Sequence, residues 1–253
     1  MGKDKKWLTR EIIINTLVDA LKPLDHVQAF WEGGAAAFNR IDEWSDIDIY
    51  LVVGDDKIEE TFLAVERALK SLSTIEQKFR IMKSQWADVS QAFYRMKDAS
   101  EYLVIDLAIL KSSSPEKFLE LEIHGKALFY FNKSANINPL PLDIEMFTKR
   151  LKERKGRLKA RFRMFNNFVQ KEINRGNFLE AIELYHNFTL STLIEALRMR
   201  HAPFHHEFKT RYIHYELPLA VIMKLKMLFF IEDERALQEK YRKASRWILE
   251  ILS

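Results

Sequence analysis

The sequence predicts an α+β fold in its first half and an all-helical second half. Two observations point to this. Short apolar runs at 27–31, 47–53 and 102–110 have strand length and are set off by turn residues, with an amphipathic stretch at 58–72 between them. Beyond residue 143 the apolar residues recur only at helical spacing. The segment Asn136-Ile137-Asn138-Pro139-Leu140-Pro141 reads as a linker. The expected domains are therefore 1–138, a mixed sheet flanked by helices, and 139–253, a bundle of four or five helices.

In order, Ile12, Ile13, Leu17, Ala20 and Leu21 give a first helix over 8–21, with Thr9 as cap and Pro23 as stop. Residues 26–31 read as a strand, and a short helix is expected near Gly34. A strand at 47–53, a helix at 58–72 and a hairpin of 91–96 with 102–110 follow. A short helix is expected at 115–122 and a strand at 127–131. Asp143 can cap a long helix carrying Phe147, Leu151, Leu158, Phe162, Phe165 and Val169, ended by Gly176. Helices are then expected at 179–200, 219–231 and 236–252.

The chain has 253 residues, 47% of them hydrophobic, and no cysteine. Disulfides and thiolate metal sites are thereby excluded, and a cytoplasmic setting is expected. The polar start and the brief apolar stretch at 12–14 predict no signal peptide, and no apolar run reaches membrane-span length. Residues 1–140 hold 18 Lys and Arg against 22 Asp and Glu, while 141–253 hold 22 against 14. An acidic half with metal carboxylates beside a basic half suits Mg²⁺ and a polyphosphate.

The most informative stretch is 33–48. Gly33-Gly34 follows an apolar run, and glycine lets backbone N–H groups approach a ligand closely. Asp46 and Asp48 stand at i and i+2, so on a strand they leave the same face. Two such carboxylates repel unless a cation lies between them, and hard oxygen ligands suit Mg²⁺ held jointly with phosphates. Asp106 is the one charge in the apolar run 102–110, and a charge in a buried strand is costly unless paired or metal-bound. A phosphate cradle followed by carboxylates reads as a nucleotide–Mg²⁺ site.

This pattern, with Ser45-Asp46-Ile47-Asp48-Ile49 at its centre, resembles the DNA-polymerase-beta-like nucleotidyltransferases. A helical second domain is similar to the antibiotic members, such as the kanamycin and lincosamide enzymes. The resemblance implies Asp46, Asp48 and Asp106 as catalytic residues and metal ligands for two Mg²⁺, with ATP or another NTP as substrate. It implies nucleotide contacts from Gly33, Gly34, Ala35, Arg40 and Ser45. The implied reaction moves an NMP, AMP from ATP, onto a hydroxyl of a small-molecule acceptor and releases pyrophosphate. A helical-domain glutamate, Glu183 or Glu195, is the implied acceptor base. One departure is visible. The family's Gly-Ser pair falls on Gly34-Ala35, or on Gly33-Gly34 with one extra loop residue, and either way the serine hydroxyl is missing.

Two alternatives follow. The missing hydroxyl permits a non-catalytic nucleotide-binding module. The nine basic residues of 149–163 permit an enzyme acting on RNA or protein, although an intact apolar stripe there favours a solvated face over nucleic-acid binding. Five of seven histidines lie between 186 and 214, but Pro203 interrupts the His201–His205 pair, so packing is favoured over zinc. Arg200 and His205 also fit the Arg-x4-His spacing of ribonuclease domains that partner small nucleotidyltransferases, with the same proline against it. Lys209 and Arg211 are candidates to reach phosphates. The expected partners are a nucleotide and an acceptor, without a membrane, and with room for a homodimer.

Overall fold

The computed structural model describes residues 7–81 and 88–253. The chain divides into two compact units, Met1–Leu142 and Asp143–Ser253.

In the first unit, helix α1 (Arg10–Leu21) starts at Thr9, whose side chain accepts the Ile12 N–H at 3.4 Å. Strands β1 (Val27–Glu32) and β2 (Ile47–Val53) flank a single helical turn, α2 (Gly34–Ala37). Helix α3 (Ile58–Leu72) leads to β3 (Ile75–Arg80), β4 (Val89–Met96) and β5 (Ile105–Lys111), then to α4 (Leu121–His124) and β6 (Leu128–Asn132). The mixed sheet runs β3-β4-β5-β2-β1-β6, with β2 and β5 parallel and the other neighbours antiparallel.

Register is set by burial. Ile47, Ile49, Leu51 and Val53 face α1 and α3 together with Ile105, Leu107 and Ile109, and each is at most 1% exposed. The alternate residues turn to the other face, where Val52, Ala108 and Leu110 join Trp31, Leu119 and Ile137. Slipping β2 by one residue would expose side chains worth about 1.5–3 kcal/mol each. The same alternation puts Asp48 on the second face, opposite Asp106.

Two features of this unit differ from expectation. Strand β3 was not expected, because Ile-Glu-Gln-Lys-Phe-Arg has no clean alternation; it is an edge strand, where charge blocks further pairing. The helix expected at 115–122 is confined to Leu121–His124, since Phe118 adopts φ +54.

The second unit is helical throughout. Asp143 caps α5 (Ile144–Phe165) by accepting the Met146 N–H at 2.9 Å. The long helix expected to continue to Val169 instead breaks at Asn166, and α6 (Asn167–Arg175) follows. The Tyr241 hydroxyl donates to the Asn166 carbonyl at 2.6 Å, holding the break, and Phe165 is left exposed rather than in the core. The helix expected at 179–200 is α7 (Phe178–Leu184) and α8 (Ser191–His201), joined without interruption by a π-helical turn, Tyr185–Leu190. Buried Tyr185 sits in that turn and donates to the Leu228 carbonyl at 2.9 Å. Then come a 3₁₀ turn at Pro203–His205, α9 (Ile213–Glu216), α10 (Leu219–Phe229) and α11 (Glu234–Leu252), the last capped by Asp233. No helix among the described residues is long and apolar enough to cross a membrane.

Arg198 holds the 203–216 segment in place. It is fully buried and pairs with Glu216 at 2.6 Å. It also donates to the carbonyls of Lys209 at 2.6 Å, His205 at 3.2 Å, and Arg211. Truncating Glu216 to Ala would strand this cation without a countercharge. We expect a loss of about 3–5 kcal/mol in denaturant unfolding.

Candidate active site

The Gly33-Gly34 pair ends β1 and turns the chain into α2. Gly33 N–H still donates to the Asp48 carbonyl at 2.9 Å, so the loop is tied to β2. Gly34 adopts φ +51, and a Cβ built there would stand 1.7 Å from Asp48 Oδ2. The backbone of Gly34 thus lies directly against that carboxylate, in space only glycine leaves open. This bears on the two placements of the missing serine. Residue 34 has no room for a side chain, so the hydroxyl position compatible with this backbone is 35, where the chain has alanine.

Asp46 precedes β2 and is exposed; its Oδ1 accepts the Val104 N–H at 3.3 Å. Partial desolvation raises its pKa above the ordinary carboxylate range, against the lowering effects of that N–H and of the Arg10 charge. Asp48 and Asp106 are half-buried and occupy the same register position on the parallel strands β2 and β5. Gln91, from β4, donates to Asp106 Oδ1 at 2.6 Å. Among the described residues, the trio whose ligand atoms all lie within 4.8 Å of one another is Glu116, Glu120 and His124, not the three aspartates. The Val104 N–H and the Gln91 amide thus each occupy one oxygen, of Asp46 and of Asp106. The donor set is all carboxylate oxygen beside a glycine backbone, the hard ligand type that Mg²⁺ takes.

Three further residues reach this corner and were not singled out from sequence. Arg10, in the first turn of α1, pairs with Glu32 at the end of β1 and donates to the Asp46 carbonyl at 2.7 Å. Glu32 is 1% exposed and accepts the Tyr130 hydroxyl at 2.8 Å. One signal could have found Glu32: it is a charge directly after the apolar run 27–31, as Asp106 is a charge within another.

The other expected residues have the following neighbours. The Ser45 hydroxyl closes a local turn, donating to Asp42 Oδ1 at 2.8 Å and accepting the Asp42 N–H at 2.9 Å. The Arg40 guanidinium lies over the Phe38 ring at 5.1 Å. Lys209, Arg211, Glu183 and Glu195 belong to the second unit. Glu195 is taken up by a two-bond pair with Arg154, at 2.6 and 2.9 Å. Glu183 is exposed and accepts from Asn187 at 3.3 Å. Arg211 is exposed and packs over Phe208 at 4.6 Å, and Lys209 is exposed with φ +51. His205 bonds Glu216 at 2.9 Å and stacks on Phe208, consistent with packing rather than zinc.

No family model matches the chain, and no curated protein does. Solved structures similar to it include an aminoglycoside 6-adenyltransferase from Bacillus subtilis, at 16% identity over 97% of this chain and 92% of that one, with a TM-score of 0.37. A spectinomycin adenyltransferase from Enterococcus faecialis, solved with ATP and spectinomycin, is 10% identical over 95% of this chain and all of that one, also at TM-score 0.37. Both are antibiotic nucleotidyltransferases, but likeness at this score carries no chemistry over to this chain.

Two outcomes follow from the geometry. Gly34→Ala should lose about 1–3 kcal/mol of stability in chemical denaturation, from the positive φ and the clash with Asp48, whereas Ala35→Ser should stay within about 0.5 kcal/mol of wild type. The second outcome concerns Asp46, whose raised folded-state pKa means that its ionised form disfavours the fold, so its contribution to stability improves as pH falls through that pKa. Without divalent cations, Asp46→Asn should therefore melt no lower than wild type near pH 7, and any gap should close on acidification. A mutant clearly less stable near pH 7 would contradict the desolvation.

Proposed function

We propose that the chain is a Mg²⁺-dependent nucleotidyltransferase. It moves a nucleoside monophosphate, AMP from ATP in the simplest case, onto a hydroxyl of a small-molecule acceptor and releases pyrophosphate. One observation carries this reading: Asp48 and Asp106 stand at one register position on neighbouring parallel strands, with the Gly34 backbone pressed against Asp48. A glycine turn against paired strand carboxylates supports a polyphosphate–cation site, because hard carboxylate oxygens suit Mg²⁺ and a close glycine backbone suits phosphate.

Asp46, Asp48 and Asp106 would hold Mg²⁺, which when bound supplies charge neutralisation for the polyphosphate and the leaving group. The residues of the chain then divide the work. The Gly34 backbone would bring its N–H up to the phosphates, with no hydroxyl to help it, while the Gly33 N–H stays on the Asp48 carbonyl. Asp106, positioned by Gln91, takes the proton of the acceptor hydroxyl as its oxygen bonds to the α-phosphorus. The bond from that phosphorus to the bridging oxygen breaks, and pyrophosphate leaves with its electron pair.

Pyrophosphate release from ATP, measured with Mg²⁺ across a panel of hydroxyl-bearing acceptors, tests the reading. Asp46→Ala, Asp48→Ala and Asp106→Asn should each lose at least about a hundredfold in turnover while remaining folded. Nucleotide binding without turnover on any acceptor would favour a non-catalytic module. Undiminished turnover in the aspartate variants would overturn the site.

A further inference from the structure

Arg10 joins three segments that meet at the aspartates. Its guanidinium pairs with buried Glu32, the residue before the glycine turn. Another nitrogen donates to the Asp46 carbonyl at 2.7 Å and reaches the Ser45 carbonyl at 3.5 Å. The Arg10 Nε is buried without a hydrogen-bond partner, so the side chain is held entirely by its two terminal nitrogens. Glu32 is itself fixed from the far side by the Tyr130 hydroxyl on β6.

The choice of atoms is informative. An arginine beside a carboxylate would ordinarily pair with it in two-bond fashion. Here Arg10 bonds the Glu32 carboxylate and bonds Asp46 through the main chain, its charge acting on the Asp46 carboxylate without a hydrogen bond. The Asp46 carboxylate is left to its weak bond with the Val104 N–H and to whatever cation arrives. A neutral pair also adds no net repulsion against a divalent ion.

We propose that Arg10, Glu32 and Tyr130 form a positioning clamp: a charge-balanced pair that fixes the main chain of Asp46 against the glycine turn and keeps its carboxylate available to the cation. The clamp rests on the nucleotidyltransferase reading, since it serves the same metal ligands. Outer groups that orient metal ligands commonly contribute 10–100-fold in metal affinity.

The decisive variant is Arg10→Met/Glu32→Gln. It removes both buried charges at once, which folds tolerate far better than removing one. Mn²⁺, a paramagnetic stand-in for Mg²⁺, can be titrated into the folded protein with and without ATP, and its binding followed by water-proton relaxation, with thermal melts alongside. The double variant should fold, yet bind Mn²⁺ at least about tenfold more weakly than wild type. Tyr130→Phe should shift affinity in the same direction by a smaller factor. A double variant that folds and binds Mn²⁺ as wild type does would overturn the clamp, since charge balance alone would then suffice. A double variant that fails to fold leaves Tyr130→Phe to decide, and wild-type Mn²⁺ affinity there would overturn the clamp equally. Wild-type protein that binds no Mn²⁺ at all would instead remove the underlying reading together with the clamp.

Discussion

The parallel pairing of β2 with β5 is the constraint on which the candidate site depends. It brings Asp48 and Asp106 to the same level of the sheet. Neither aspartate drives that pairing. The driving force is the row of Ile47, Ile49, Leu51 and Val53 packed with Ile105, Leu107 and Ile109 under α1 and α3. Because side chains alternate along a strand, a register that buries the one set must present the other. The apolar core thus sets two carboxylates at one level of the sheet, on the face away from it.

Several polar groups surround these carboxylates and Asp46. Gln91 donates to Asp106 and the Val104 N–H to Asp46, while Arg10 is balanced by Glu32 rather than by a site aspartate. Asp46 is raised by desolvation. The Asp48 carboxylate lies beside a glycine turn that tolerates no side chain at residue 34.

The second unit shows a different use of charge. Arg198 is fully buried, yet each of its bonds goes to the 205–216 segment, so its role is to fold a proline-interrupted connection onto α8. This accounts for much of the polar and aromatic density of that segment. Glu195, a candidate acceptor base, is likewise occupied by Arg154. The basic run of α5 keeps only Leu158 and Phe162 in the core and turns most of its charges to solvent, as a solvated face does.

By itself the sequence determined the elements with strong periodicity. The bounds of β2 and α3, the Thr9 and Asp143 caps and the division into a sheet unit and a helical unit were all legible, since each follows from a pattern within a few residues. The turn at Gly33-Gly34 and the strand positions of Asp48 and Asp106 were legible too, because charges in apolar runs and paired glycines stand out locally. Tertiary structure alone decided the rest. Edge strand β3 forms because β4 offers it a partner, not because of its own pattern. Asn166 breaks a helix because Tyr241, 75 residues away, takes its carbonyl. Arg10, Glu32 and Tyr130 meet at Asp46 from α1, β1 and β6, and contacts between distant segments leave no periodic trace in a linear sequence.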